Sequence, residues 1–228
     1  MIKPRSHVLT EQEVENNKQR IIALYQATQR EGIDGLIEWL LTTDFFTAPA
    51  SCRLGNHNCE VGGLADHCLN VYNIFEEMLK GYEGRGGIRP DESIIASLSH
   101  DLCKIGYYVP NPGWKGTGST GELDRPYIRR EDVLGPGGVN ALSNHSRKSL
   151  EMASRFIRLT QNESLLIEWH MGRFDDDTGW VENSDRVLKI LPAVDIFQEA
   201  DYKVFTDIDY RPPGAREQFL KYIHKRKA

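Results

Sequence analysis

Long apolar runs are missing from this 228-residue chain, and with them the roughly 20-residue stretch that a membrane-spanning helix requires. The opening segment, MIKPRSHVLTEQEVENNKQR, is polar and lacks the apolar centre of a secretory signal, so the expected location is cytoplasmic. Cysteine is scarce: Cys52, Cys59, Cys68 and Cys103 are the only four. No two of them form a CxxC pair, which removes the usual signature of structural zinc. Without an export signal they read as reduced, small, buried packing residues. An excess of positive charge is missing too. The net charge is −5, which argues against a broad nucleic-acid-binding face but leaves room for a local basic groove. The terminal basic cluster KYIHKRK, residues 221–227, reads as a solvated helix end whose charge suits the helix dipole. Internal repeats and low-complexity tracts are absent.

What is present is helical periodicity. The composition, 39% hydrophobic and 27% charged, is that of a globular chain able to bury a core without disulfides. Residues 11–31 carry Ile21, Ile22, Leu24 and Tyr25 in a polar background, as an amphipathic helix does. A short helical run follows at 34–41, then a turn-rich loop, TTDFFTAPASCRLGNHNCEVGG. Residues 64–82 place Leu64, Val71, Phe75, Met78 and Leu79 near one face, with His67 beside it. Pro90 and Asp91 open a further helix, expected to run through His100, Asp101 and Lys104. Between about 109 and 144 the period breaks into a Gly- and Pro-rich irregular loop with room for a short hairpin. Helical signals return at 146–159, 162–171 and 184–205. No linker divides the chain, so the expectation is one all-α domain over residues 1–228. Its core would lie at about 40–205, with the N-terminal helix and the C-terminal tail packed on it.

Five of the seven histidines are candidates: His57 lies in the loop before a helix, and His67, His100, His145 and His170 sit on or beside apolar helices, as do Asp101 and Asp195. One histidine on an apolar face is ordinarily a satisfied core residue. Four histidines and two aspartates arranged in this way are hard to explain singly, because an isolated buried carboxylate is costly. A shared metal centre satisfies them all, and His with Asp is the donor set of Mn, Fe, Co, Ni or Zn.

Two segments make the pattern specific. SLSHDLCKIG, residues 97–106, resembles the HDxxK signature of HD-domain phosphohydrolases. NHNCEVGGLADHCLNVY, residues 56–72, is similar to the H-x4-GGL-x2-H segment that precedes it in one branch, which includes 3′–5′ exoribonucleases and bacterial and phage hydrolases. NHSRKSLEMASRFIRL, IEWHMGRFD and LPAVDIFQEADY resemble the later histidine and closing aspartate segments. The order H…HD…H…H…D covers roughly residues 40–205. One departure stands out: a Gly-His pair is usual at the third histidine, whereas Asn144 precedes His145 here.

The resemblance implies an HD-domain helical bundle around a mono- or dinuclear site. His67, His100, Asp101 and Asp195 would be primary ligands, His145 and His170 would hold a second ion, and Asp101 would bridge the two. Divalent transition metal, one or two ions, is the implied cofactor. The implied chemistry is attack on a phosphoester by water of lowered pKa, with Asp101 orienting it and Lys104 neutralising phosphate charge. His57 either contacts phosphate, donates a proton to the leaving group, or merely packs its loop. Gly62 and Gly63 are expected to allow a tight turn and a close approach of backbone to substrate. Trp114, Arg125, Tyr127, Arg129 and Arg130 could form a lid that stacks on a base and grips phosphate. WKGTGSTG lacks the GK[ST] ending of a phosphate loop.

The expected substrate is a small-molecule phosphoester or nucleotide, with single-stranded nucleic acid as the polymeric option and a homodimer left open. Two other classes compete. One is a diiron oxygenase on the same ligand pattern; the other is a non-catalytic nucleotide-sensing module.

Overall fold

Helices begin where the sequence supplies caps. In the computed structural model, which describes residues 5–114, 116, 125–129, 145–172 and 180–212, helix α1 spans Glu11–Ala27. The Thr10 hydroxyl accepts from the Glu13 amide while the Glu13 carboxylate accepts from the Thr10 amide, a reciprocal cap that satisfies two otherwise orphaned donors. Thr160 and Glu163 repeat the device at α6, Gln161–Trp169. Pro90 occupies the first position of α4, Pro90–Ser99, where its missing N–H costs nothing. The other helices are α2, Ile33–Leu41; α3, Gly63–Leu79; α5, His145–Ser154; α7, Trp180–Ile190; and α8, Ala193–Lys203. A π-helical turn, Val204–Ile208, continues α8.

The described residues are therefore mostly helical. Their single sheet is a two-stranded antiparallel ribbon, β1 Tyr108–Pro110 with β2 Tyr127–Arg129, in the register Val109 to Ile128. This ribbon is the short hairpin that the irregular region had room for. No helix among the described residues is long and apolar enough to cross a membrane.

Two apolar clusters flank α3. One joins Ile21 and Tyr25 of α1, the α2 residues Leu36 and Leu40, the first half of α3, and Ile95 and Leu98 of α4. The other joins the second half of α3 to Leu166 and Ile167 of α6 and to Phe197 and Ala200 of α8. Phe75 and Phe197 meet edge to face at 4.9 Å. Each such fully buried ring contributes roughly 1.5–3 kcal/mol. The consequence for function is that α3 and α4 are covered on nearly all sides, so polar groups on them must find partners inside the protein. Ser99 does so through the Tyr25 hydroxyl at 3.0 Å.

Four boundaries differ most from the sequence expectation, the first being that the run at 146–159 ends at Ser154. Helix α1 stops at Ala27 rather than Glu31, because Gln29 and Gly32 turn to positive φ. Helix α4 does not continue to Lys104: His100 caps it, Asp101 leaves helical geometry at φ −111°, ψ 18°, and Leu102–Lys104 form a 3-10 turn. The run at 184–205 is two helices, parted at Leu191–Pro192, since proline lacks the N–H that an interior helical position needs.

The Gly62–Gly63 pair does make a tight turn. Gly62 has φ +81°, and a side chain on Gly63 would collide with the Asn58 carbonyl. The close approach is therefore to the chain's own loop, and it seats the His57 segment against the start of α3.

Candidate metal centre

Side chains from seven places in the chain meet between the two cores. His67 comes from the middle of α3, His100 and Asp101 from the end of α4, and Lys104 from the 3-10 turn. His145 opens α5, His170 caps α6, Asp201 lies on α8, and Asp209 follows the π-turn. His67, His100, Asp101 and His170 are almost wholly excluded from solvent.

Each of the four histidines is held from behind through Nδ1. His100 Nδ1 lies 2.8 Å from the Ser97 carbonyl and His170 Nδ1 lies 2.7 Å from the Ile167 carbonyl. These are the same device used twice: the ring at a helix end donates to the carbonyl three residues back, which has no intrahelical partner. His67 Nδ1 donates to Asp209 Oδ2 at 2.7 Å. His145 Nδ1 contacts Cys103 Sγ at 3.2 Å. A carbonyl can only accept, so His100 and His170 carry their proton on Nδ1 and turn a bare Nε2 inward.

The four Nε2 atoms surround the Asp101 carboxylate. Asp101 Oδ2 is 3.6 Å from both His67 Nε2 and His100 Nε2, and 2.6 Å from Lys104 Nζ. Asp101 Oδ1 is 2.6 Å from His145 Nε2 and 4.0 Å from His170 Nε2. Asp201 Oδ1 stands 3.2 Å from His67 Nε2. Three donor sets here are compact enough to hold an ion: His67–His100–Asp101, Asp101–His145–His170 and His100–His170–Asp201. A fourth, His57–His67–Asp209, lies behind them.

The donor chemistry fits a divalent cation. His170 Nε2 is buried without a hydrogen-bond partner among the described residues, and a buried unsatisfied polar atom ordinarily costs about 1–3 kcal/mol. Burial, with the neighbouring His100, pushes His170 down to about 3, so at neutral pH it offers a lone pair rather than a proton. Burial also lowers His100. The opposite holds for two other rings. Burial opposes charging of His67, but Asp209 and Asp201 overcome it and push the ring up to about 10. His145 is likewise raised to about 10 against its burial, by contact with Cys103 and Asp101. Asp101, despite burial, is held well below the usual carboxylate range, by Lys104 first and then by His100 and His145. Protons on His67 and His145 thus occupy part of the positive charge that a cation would supply.

The site opens into a cavity of about 790 Å³, a size suited to a small organic ligand. His57 is on its lining, with Nδ1 on Asp209 Oδ2 at 2.7 Å and its ring edge-on to His67 and Phe205. The same carboxylate oxygen therefore props both histidines. Trp114, Arg125, Tyr127 and Arg129 are not on the cavity wall. Arg130, the residues WKGTGSTG beyond Trp114 except Gly116, and the basic tail lie outside the described residues.

The structure brings His67, His100, Asp101, His145 and His170 together and leaves Asp195 at the cavity rim. Asp201, six residues later on α8, reaches the cluster in its place. A helical wheel explains the difference. At about 100° per residue, Asp201 falls about 40° from buried Phe197, whereas Asp195 falls about 160° away, on the exposed side. Asp209 was also missed, and no local pattern signals it. It follows the helical run, and only the return of the chain past α3 makes it a partner of His67. Asp201→Asn is expected to lower bound metal at least tenfold in affinity, while Asp195→Asn keeps its metal content by elemental analysis. The reverse result would restore Asp195 as the ligand.

Comparison of the chain with protein-family models, with curated proteins and with solved structures finds no match.

Proposed function

We propose that this protein is a metal-dependent phosphohydrolase of the HD type, acting on a phosphoester carried into the cavity above Asp101. One observation carries the reading: four histidines, each tied from behind at Nδ1, aim Nε2 at the two oxygens of one buried carboxylate, with a lysine beside it. His67 and His100 lie nearest one oxygen and His145 and His170 nearest the other, and with Asp201 these are the residues that would hold one or two divalent ions. Divalent ions bound there supply Lewis acidity toward a phosphoryl oxygen and a water of lowered pKa.

The protein's own groups do the remaining work. Lys104 lines the cavity with its Nζ against Asp101 Oδ2. From there its ammonium can stabilise charge that builds on the phosphoryl oxygens. Asp101 fixes the positions of the converging groups and orients the attacking water. Asp209 holds His67 and His57 in place, which assigns His57 to the wall and support of the site.

The test is a phosphohydrolase screen on metal-stripped protein reloaded separately with Mn, Fe, Co, Ni or Zn. The panel holds nucleoside phosphates, cyclic nucleotides, short oligonucleotides and p-nitrophenyl phosphate. Turnover that depends on added metal is the expected result. Stoichiometric metal binding without hydrolysis of any ester, together with iron-dependent oxygen uptake, would replace this reading with the oxygenase on the same ligand set.

A further inference from the structure

The cavity's cationic side chain lies at its floor and its exposed carboxylates lie on its outer wall. Its floor holds the histidines, Asp101, Asp201 and Lys104, and Lys104 is the one lysine or arginine on the wall among the described residues. Its outer wall is built by α7 and α8. Asp185 on α7 and Asp195 and Glu199 on α8 line it and are solvent-exposed. None of these three carboxylates has an ion pair or hydrogen-bond partner among the described residues. Gln198 and Tyr202 share the α8 side of the wall, and the spacing 195, 198, 199, 202 is that of one helical stripe. The floor of the same cavity holds the buried His170 Nε2, which has no hydrogen-bond partner among the described residues and belongs to the candidate metal centre.

Resting on the phosphohydrolase reading, we infer that Asp185, Asp195 and Glu199 select the substrate by charge. They favour a monoester with a single phosphoryl group on an uncharged or cationic remainder rich in hydroxyl or amino donors. The physical reason is direct. The reacting phosphoryl group sits at the floor, beside Lys104. Any further phosphate on the same molecule must lie toward the rim, beside three carboxylates that have no partner among the described residues. Like charges at that range repel. Hydroxyl or amino groups at the same place instead donate to the carboxylates, and charge-assisted hydrogen bonds are the stronger kind. Tyr202 and Phe205 add aromatic surface on the same side, suited to a nucleoside or another ring. Nucleoside triphosphates and longer oligonucleotides, which carry further phosphates beyond the one that reacts, are disfavoured.

The experiment compares one nucleoside as its mono-, di- and triphosphate, and a short oligonucleotide of the same base, on metal-loaded protein. The wild type is expected to prefer the monophosphate over the triphosphate by about tenfold or more in kcat/KM. The triple variant Asp185→Asn, Asp195→Asn, Glu199→Gln is expected to abolish most of that preference through KM, with kcat on the triphosphate little moved. Raising salt should narrow the wild-type preference and leave the variant's unchanged. A wild type that favours the triphosphate or the oligonucleotide overturns the inference, as does a preference that survives in the triple variant. Wild-type turnover of p-nitrophenyl phosphate separates the two levels. If it is present, the hydrolase reading stands whichever way the preference falls; if no ester of any kind is cleaved, both fall together.

Discussion

On the phosphohydrolase reading, Asp101→Asn is expected to abolish hydrolysis, with kcat reduced by at least about 10³-fold and no recovery in excess metal. The substitution keeps shape and removes charge from the one carboxylate that faces all four histidine Nε2 atoms. It also strands a cation. Lys104 Nζ lies 2.6 Å from Asp101 Oδ2 in a nearly closed environment, and burying an ammonium after deleting its partner costs about 3–5 kcal/mol. The metal-free variant should therefore melt well below the metal-free wild type. Replacing the lysine as well, in Asp101→Asn/Lys104→Met, should recover much of that stability, because no uncompensated charge is left behind. It should recover no activity. Thermal melts and elemental analysis of the two variants separate the loss of a folded site from the loss of its chemistry. Normal metal content in Asp101→Asn would show that the ions are held elsewhere.

The second large effect comes from a residue that touches no substrate. Asp209→Ala removes the acceptor shared by His57 Nδ1 and His67 Nδ1, each at 2.7 Å. Metal affinity should fall roughly 10- to 100-fold, the usual consequence of releasing a ligand histidine from its supporting carboxylate. Activity should fall with it at limiting metal and return when metal is in excess, unlike Asp101→Asn. The pH dependence provides a signature that general destabilisation lacks. In the wild type the His67 ring is raised from 6.5 to about 10. A raised pKa means that this ring stabilises the metal-free fold fully below about 6.5, and that the contribution is lost as pH rises toward about 10. Metal uptake runs the other way. Through neutral pH the ion must displace that proton, so uptake releases it and apparent affinity climbs as pH rises. Titrating metal into weakly buffered protein reads the release directly. Asp209→Ala should release fewer protons per ion bound, and an unchanged count would remove Asp209 from its place behind His67.

Some of this was legible in the residues alone. The proline at position 90 and the apolar spacing of α3 and α4 are local, short-range effects, and those helices begin where they say. The histidines were legible because a titratable ring repeatedly set beside an apolar stripe is expensive unless it has a common partner. Helix ends were less legible. The bends after Ala27 and after Ser99 depend on how the chain must turn to pack, and His100–Asp101 serves the site because the helix stops there. Pro192 was a local signal for breaking the last helical run, overridden by an apolar period that continues on both sides of it.

By itself, then, the sequence determined a mostly helical chain and a set of histidines with Asp101 for one polar centre, since helix propensity, capping and apolar periodicity are written in neighbouring residues. Only the tertiary structure decided which carboxylates complete that centre. Asp195 and Asp201 lie on one helix, and the choice between them turns on which face α8 presses against α3 and α6. Asp209 and His67 are 142 positions apart, and no local pattern encodes a hydrogen bond between them. The acidic outer wall was equally out of reach, because it exists only when α7 and α8 fold back over the cavity and leave Asp185, Asp195 and Glu199 without partners among the described residues.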